Sequence, residues 1–153
     1  MQDVLLNLMS HMRWADALVA DALERHTPAD AESARLFAHI ASVEHLWYSR
    51  IHGERPLLEV WPSLTVGEAR TLAAQHAERF VRLVEASDAD ALARSVDYRN
   101  SAGRDFRSSV ADIVTQTAMH GSHHRGQILR LLRAGGHEPP LVDYIQFARR
   151  DQK

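Results

Sequence analysis

Histidine is the residue type with the most chemical potential in this chain. The sequence has ten histidines and no cysteine, so transition-metal chemistry would depend on imidazole. His120 and His124 are four positions apart, and at about 100° per residue of an α-helix their rings fall within roughly 40° of each other. Ile113, Thr117 and Leu131 share this helical face, which must turn toward a core. Two neutral imidazoles would therefore point together into the interior, at a separation that one cation can bridge.

A third histidine is expected from a facing helix. The apolar stripe of that helix contains His39 and is formed by Leu36, Val43, Leu46 and Trp47. His45 falls roughly 120° away from His39, toward the polar side, and is expected at the surface or at an interface. Helix bundles build metal sites from side chains on opposed helices, and three imidazoles suit Zn, Ni, Fe or Cu better than Mg or Ca. The pattern makes His39, His120 and His124 the candidate ligands.

The same pattern also fits ordinary buried histidines. A bare H-x-x-x-H pair arises easily by chance in a chain with this many histidines, and a core histidine satisfied by a neighbour is common. Spacing alone leaves both interpretations open. His123 could lie just outside the ligand set, whereas His76 could be a fourth ligand or, as we favour, a core histidine. The remaining candidates are expected to be superficial or terminal: His11, His26, His52 and His137.

Helical periodicity predicts the elements that would position these side chains. Apolar residues recur three or four apart over residues 3–25, 27–53, 65–87 and 110–134. Start signals precede the last three segments: Thr27 before Pro28, Thr65 with Glu68, and Ser109 with Asp112.

The connections between the predicted helices indicate the fold class. Residues 88–108 are more polar, and the stretch from Tyr98 to Gly103 predicts a turn within a hairpin, so this segment is the long crossover between helices three and four. Pro139 and Pro140 precede a short final helix. We therefore predict one all-α domain over residues 1–153, a four-helix bundle.

Composition argues against several classes of protein. The net charge is −2, with acidic and basic residues interspersed, which gives no support for nucleic-acid binding. No stretch reaches the roughly 18 apolar residues of a membrane span, the N-terminus is typical of a mature helix, and the lack of cysteine fits a reducing cytoplasm. A domain of this length buries enough surface to fold without a metal, so a bound metal would be functional.

Five segments, which together extend over nearly the whole chain, carry a resemblance to one known family. MRWAD at 12–16 looks like N-R-W-A-N, and residues 38–50, with Ala38-His39-Ile40, Trp47 and Arg50, resemble N-H-I…W…R. MHGSHHRGQ at 119–127 resembles the signature N-H-S-x-H-H-R-G-Q. Residues 98–106 and 139–145 are similar to the family's crossover and its C-terminal P-x-D-x-I segment. The chain thus resembles the DinB/YfiT-like family of metalloenzymes.

This resemblance implies an up-down-down-up bundle, usually dimeric, in which His39, His120 and His124 hold a divalent transition metal. Zinc is favoured, with nickel or iron as alternatives. Four positions depart from the family pattern, which has asparagine at the first three and commonly aspartate at the last: Met12, Ala38, Met119 and Glu44. These departures affect hydrogen bonds around the site.

Three protein ligands would leave a coordination position for water or substrate. The resemblance implies thiol S-transferases and thiol-dependent isomerases, so the metal would activate a low-molecular-weight thiol for attack on an electrophile. A metal-dependent hydrolase is the alternative, with Glu44, Asp143 or His123 as general base. A non-catalytic metal-binding protein, or a dimeric interaction module, is a third possibility. The sequence assigns no catalytic residue.

Three residues of the signature lie outside the proposed ligand set. Arg125 is on the opposite flank from the metal face, and we expect it to pair with a carboxylate at the chain's end or across a dimer. Gly126 is expected to permit close helix packing, and Gln127 to return toward the ligand face and orient water.

Overall fold

The computed structural model describes residues 1–26, 30–100 and 102–150. The helices and strands are α1 (Gln2–Arg25), α2 (Ala31–His52), α3 (Val66–Glu85), α4 (Ala89–Ala93), β1 (Ser95–Arg99), β2 (Asp105–Ser109), α5 (Val110–Ala134) and α6 (Tyr144–Arg149). The four long helices α1, α2, α3 and α5 form the bundle, which confirms the predicted fold class. Across the described ranges, every helix is too short or too polar to cross a membrane.

Side-chain caps fix where the long helices begin. Thr65 and Glu68 form a reciprocal capping box at the start of α3, and Ser109 and Asp112 form another at the start of α5, as the sequence predicts. The start predicted for α2 at Thr27 and Pro28 lies outside the described residues. The structure begins α2 at Ala31, where the Asp30 carboxylate accepts a hydrogen bond of 2.9 Å from the Ser33 amide.

The helix directions follow from contacts near the helix ends. At the start of α1 the Gln2 side chain donates to the Val84 carbonyl near the end of α3, so these two helices are antiparallel. Tyr48 of α2 packs against Phe80 of α3, three to four residues beyond the His45–His76 contact on both helices, so α2 and α3 are parallel. The order is up-down-down for these three helices.

Helix α5 completes the bundle by running in the same direction as α1. Leu5 of α1 belongs to one apolar cluster with Val110 at the start of α5, and Leu23 belongs to a second cluster with Leu132 near its end. The topology is therefore up-down-down-up, as the family resemblance implies. Helices α2 and α5 lie side by side and face each other antiparallel, which is the arrangement required for histidines from both to meet.

The connection from α2 to α3 must run the length of the bundle, because these two helices are parallel. Because α3 must start again at the opposite end, residues 53–65 return along the length of α2. Three successive hydrogen bonds fasten this return: the Leu57 amide donates to His45 Nε2, the Ser42 hydroxyl to the Glu59 carbonyl, and His39 Nδ1 to the Val60 carbonyl. We call residues 57–61 the strap.

The connection from α3 to α5 contains α4 and a two-stranded hairpin, and it is the long crossover that the sequence predicts. Strands β1 and β2 are antiparallel, with Tyr98 opposite Phe106. Gly103 has a φ of 77° in the turn, a left-handed conformation that glycine adopts without strain. The hairpin packs against the C-terminal half of α2, where the Arg50 side chain donates to the Arg99 carbonyl.

A buried polar layer separates the two apolar clusters of the core. One cluster includes Met12 and Ala118, and the other includes Val19 and Ile128. Between these levels of the bundle lie three ionisable side chains that are at most 4% exposed: Asp16, Glu44 and Arg125. Such a layer is costly unless its charges are compensated.

Candidate metal centre

The structure brings the three predicted ligands together between α2 and α5. One ring nitrogen from each of His39, His120 and His124 lies within 4.8 Å of the other two. The Nε2 atoms of His39 and His120 are 3.2 Å apart. Two nitrogens that each lie about 2.0–2.1 Å from a tetrahedral ion are separated by about 3.3 Å, so this spacing suits a shared cation.

Hydrogen bonds orient two of the three rings for coordination. His39 Nδ1 donates to the Val60 carbonyl of the strap at 2.7 Å, and a carbonyl can only accept, so this nitrogen carries the proton. His124 Nδ1 likewise donates to Gln127 Oε1 at 2.8 Å. In both rings Nε2 is left with its lone pair available, which is the tautomer that a metal ligand needs. Gln127 was expected to orient water, and in the structure its side chain holds the ring of His124.

His123 is linked to the centre through the same amide. The Gln127 side-chain nitrogen donates to His123 Nε2 at 3.2 Å, while its oxygen accepts from His124. His123 is itself exposed and lies outside the group of three rings. His123 therefore lies just outside the three candidate ligands, which is one of the two positions that its spacing allowed.

Burial favours the uncharged form of two candidate ligands, His39 and His120. Desolvation lowers the pKa of His39, and it lowers the pKa of His120 to about 4, with the charges of His124 and His39 as further causes. Neutral imidazole is the form that binds a metal. The group can thus hold a transition-metal ion without first losing protons from these two rings.

Trp61 of the strap covers one side of the centre. Its indole stacks on the His39 ring, with centroids 3.7 Å apart and planes 9° from parallel. The Arg35 guanidinium lies 4.0 Å from the indole centroid, and the stacked His39 ring leaves only the opposite face for it. This stack holds the His39 ring from the side, while the Val60 carbonyl holds its edge.

The structure gives His45 contacts that its expected place at the surface or an interface did not specify, and one expectation for another histidine was wrong. His45 is partly buried, its Nδ1 lies 3.3 Å from His76 Nε2, and its Nε2 accepts from the Leu57 amide. That amide bond leaves the proton on His45 Nδ1, so His45 donates to His76. His76 is 1% exposed and outside the metal group, as the core interpretation predicts. His11, expected to be superficial, is 7% exposed and bonded to the Val142 carbonyl at 2.7 Å.

Arg125 finds its partner inside the bundle, which corrects the expectation of a carboxylate at the chain's end or across a dimer. Its Nη1 donates to Asp16 Oδ1 of α1 at 2.8 Å, and the two side chains are 1% and 4% exposed. Glu44 of α2 lies beside this pair. The layer thus combines two carboxyl groups with one guanidinium.

The surroundings of Glu44 indicate that its carboxyl group holds a proton. Burial raises its pKa well above the usual value, and the nearby Asp16 charge raises it further, against the opposing effect of Arg125. Two ionised carboxylates only accept, and both Glu44 oxygens and Asp16 Oδ2 then have no hydrogen-bond partner within the described ranges. A protonated Glu44 can donate to Asp16 and satisfies both groups.

The glycines of α5 also differ from expectation. Gly126 is exposed, and a Cβ added there would meet nothing within 4 Å, so it does not permit close helix packing. Gly121 is the tight position, because a Cβ there would lie 2.8 Å from Arg125 Nη1. Its missing side chain makes room for the buried guanidinium.

Several residues that shape the centre were missed by sequence reasoning. Val60 acts through its carbonyl, which carries no signal in the residue type. Trp61 lies in a loop between prolines, where helical periodicity gives no direction. Asp16 could have been found, because an acidic residue on the apolar stripe of α1 needs a buried partner.

An up-down-down-up bundle in which three histidines from two helices converge is compatible with a metal-binding helical protein. The DinB family model matches residues 1–153, and the chain belongs to the DinB family. It is 22% identical to "Protein DinB" of Bacillus subtilis (strain 168) over 161 residues, an alignment that covers 94% of this chain and 93% of that protein. Family and geometry together are compatible with metal binding through the three histidines.

Proposed function

We propose that this protein binds one divalent transition metal through Nε2 of His39, His120 and His124, with zinc favoured and nickel or iron as alternatives. The observation that carries the proposal is the locked orientation of two rings. Val60 and Gln127 each accept from Nδ1 and leave the Nε2 lone pair free, and one nitrogen of each of the three rings lies within 4.8 Å of the other two. Core histidines without a metal need no such common direction.

We further propose that the bound metal activates a low-molecular-weight thiol for transfer to an electrophile or for isomerisation. A metal with three imidazole ligands and an open position stabilises a thiolate at neutral pH. The chain's own residues would prepare this step by holding the ligand rings. Trp61 fixes the His39 ring and limits the access of water from the strap side.

The hydrolase alternative has less support from the geometry. Glu44 lies in the buried layer with Asp16 and Arg125, where burial raises its pKa and so favours the protonated form, which is not a base. Asp143 is exposed at the start of α6, which packs against α1. His123 is the remaining candidate for a general base, and it is linked to His124 of the centre through the side-chain amide of Gln127. A non-catalytic metal-binding protein and a homodimeric interaction module are the alternatives from which an experiment must distinguish an enzyme.

The test compares thiol chemistry with metal content. Metal-loaded protein is incubated with a panel of small thiols and a chromogenic electrophile, beside a matched panel of esters and amides. We expect a thiol-dependent rate that His120→Ala removes together with the metal, while the exposed His52→Ala retains both. Stoichiometric metal without any rate on either panel would favour the non-catalytic alternative.

A further inference from the structure

A cavity lies where the C-terminal half of α2, the strap and the hairpin meet. It has a volume of about 440 Å³, is open to solvent on one side and is lined by the C-terminal half of α2, the strap and the hairpin. Its apolar wall is formed by Leu46, Pro56, Val60 and Tyr98, and its polar groups include Arg50 and Asn100. This size and mixture are typical of a small-molecule site.

Arg50 is a cation of this cavity for which the described residues provide no ion-pair partner. Its guanidinium lies 4.5 Å from the Trp47 ring and 4.7 Å from the Tyr98 ring, and one nitrogen donates to the Arg99 carbonyl at 3.0 Å. Among the described residues, no carboxylate lies within ion-pair distance of it. Burial lowers its pKa from the ordinary value, although a guanidinium remains charged at neutral pH. The remaining N–H donors are available to an anion.

The other charges of the wall favour a singly charged anion. Asp97 and Arg99 also line the cavity, but each forms a two-point ion pair across the hairpin, Asp97 with Arg107 and Arg99 with Asp105. Glu54 adds a negative charge to the same wall. A carboxylate fits the planar fork of Arg50, whereas a doubly charged phosphate would be repelled more strongly by this wall.

The cavity and the metal centre share the strap. Val60 lines the cavity, and its carbonyl accepts the hydrogen bond from His39. Arg50 follows His39 by eleven positions of α2, which corresponds to about 16 Å along the helix axis. The Arg50 side chain shortens this gap, because it lies over Trp47 one turn earlier in α2, but a single amino acid, about 3.5 Å long, cannot reach both groups. A molecule as long as three extended residues, about 10 Å, can.

We propose that this cavity binds the carboxylate of an elongated, peptide-sized thiol through Arg50, while the sulfur of the same molecule reaches the three-histidine centre. The proposal rests on the proposed thiol function and narrows it to a substrate class. Arg50 is then a specificity residue, which acts on long thiols that carry a carboxylate and leaves short thiols unaffected.

The test uses cobalt(II)-loaded protein, in which a bound thiolate changes the visible spectrum. Glutathione serves as a tripeptide-sized thiol with carboxylates, and 2-mercaptoethanol as a short neutral one. We expect Arg50→Gln to weaken glutathione binding about tenfold, the loss of one charge-assisted contact, and to leave 2-mercaptoethanol binding unchanged. Arg50→Lys should bind glutathione with intermediate affinity, because it keeps the charge and loses the fork. Arg82→Gln, at an exposed position of α3, is the matched control.

The outcomes separate the two proposals. Equal glutathione affinity in the wild type, Arg50→Gln and Arg50→Lys, with thiolate spectra present, overturns the subsite and leaves the thiol function intact. An equal weakening of both thiols in Arg50→Gln would show a structural effect on the centre and also overturns the subsite. If neither thiol changes the spectrum of the loaded wild type, the thiol function fails and the subsite fails with it.

Discussion

The buried layer of Asp16, Glu44 and Arg125 gives a quantitative prediction about stability. Asp16 is the ionised partner of Arg125, at 2.8 Å, and Glu44 stands beside it as a neutral acid. Replacing Asp16 by asparagine removes a charged hydrogen bond, which contributes about 1.5–3 kcal/mol. Glu44 can then ionise and take over as counter-charge, so we expect a net loss of only about 1–2 kcal/mol.

Glu44→Gln alone should be nearly neutral below about pH 4.5, where an amide replaces a carboxyl group that is protonated in both the folded and the unfolded chain, and it should not destabilise the protein at pH 7. The double variant Asp16→Asn, Glu44→Gln leaves the guanidinium buried without a carboxylate, which costs about 3–5 kcal/mol. The loss in the double variant therefore exceeds the sum of the single losses by 1 kcal/mol or more. Urea unfolding of all four proteins, followed by tryptophan fluorescence, measures this double-mutant cycle.

The pH dependence provides an independent check on Glu44. Its folded pKa is raised above the unfolded value, so its stabilising contribution is complete below the unfolded pKa and is lost as pH rises through the folded pKa. The loss amounts to about 1.4 kcal/mol per unit of pKa difference. Glu44→Gln lacks this loss, so its stability relative to the wild type should improve as pH rises above about 4.5. If the losses in unfolding free energy of the two single variants add up to that of the double variant, the proposed proton on Glu44 beside Asp16 is refuted. A difference between Glu44→Gln and the wild type that does not change with pH would refute it as well.

Three further predictions concern α5 and the strap. Gly121→Ala should destabilise the protein by about 1–3 kcal/mol in thermal or urea unfolding, because its Cβ would lie 2.8 Å from Arg125 Nη1. The exposed Gly126→Ala should stabilise the protein by about 0.5–1 kcal/mol. Two effects of the same sign would contradict the packing described. Gln127→Ala should lower metal affinity about 10–100-fold in a competition titration, since it frees the His124 ring, and unchanged affinity would exclude this role. Leu57→Pro should speed proteolysis of the strap, because it removes the amide that donates to His45, while Leu57→Ala keeps that amide and serves as control.

The sequence was sufficient to predict the four long helices and the three histidines that converge between α2 and α5. Periodicity and capping boxes report local preferences, and an i, i+4 histidine pair on an apolar face has one possible direction in a bundle. His39 could be chosen over His45 because the helical wheel separates them by roughly 120°. The family resemblance led to the same three residues.

Features that depend on tertiary contacts could not be predicted in this way. The strap is held by the backbone of Leu57, Glu59 and Val60, and its path is set by the parallel direction of α2 and α3. The partner of Arg125 depends on which helix lies beside α5, so the predicted partner outside the bundle was wrong. The buried role of Glu44 follows only once Asp16 is known to share its layer.

X-ray absorption on protein purified without chelators tests the central claim most directly. The account predicts one transition-metal ion per chain, with three imidazole nitrogens at about 2.0–2.1 Å and lighter scatterers completing the shell, and loss of that ion in His39→Ala, His120→Ala and His124→Ala. A metal-free protein that cannot be loaded, or an ion whose shell is unchanged in all three variants, would contradict it.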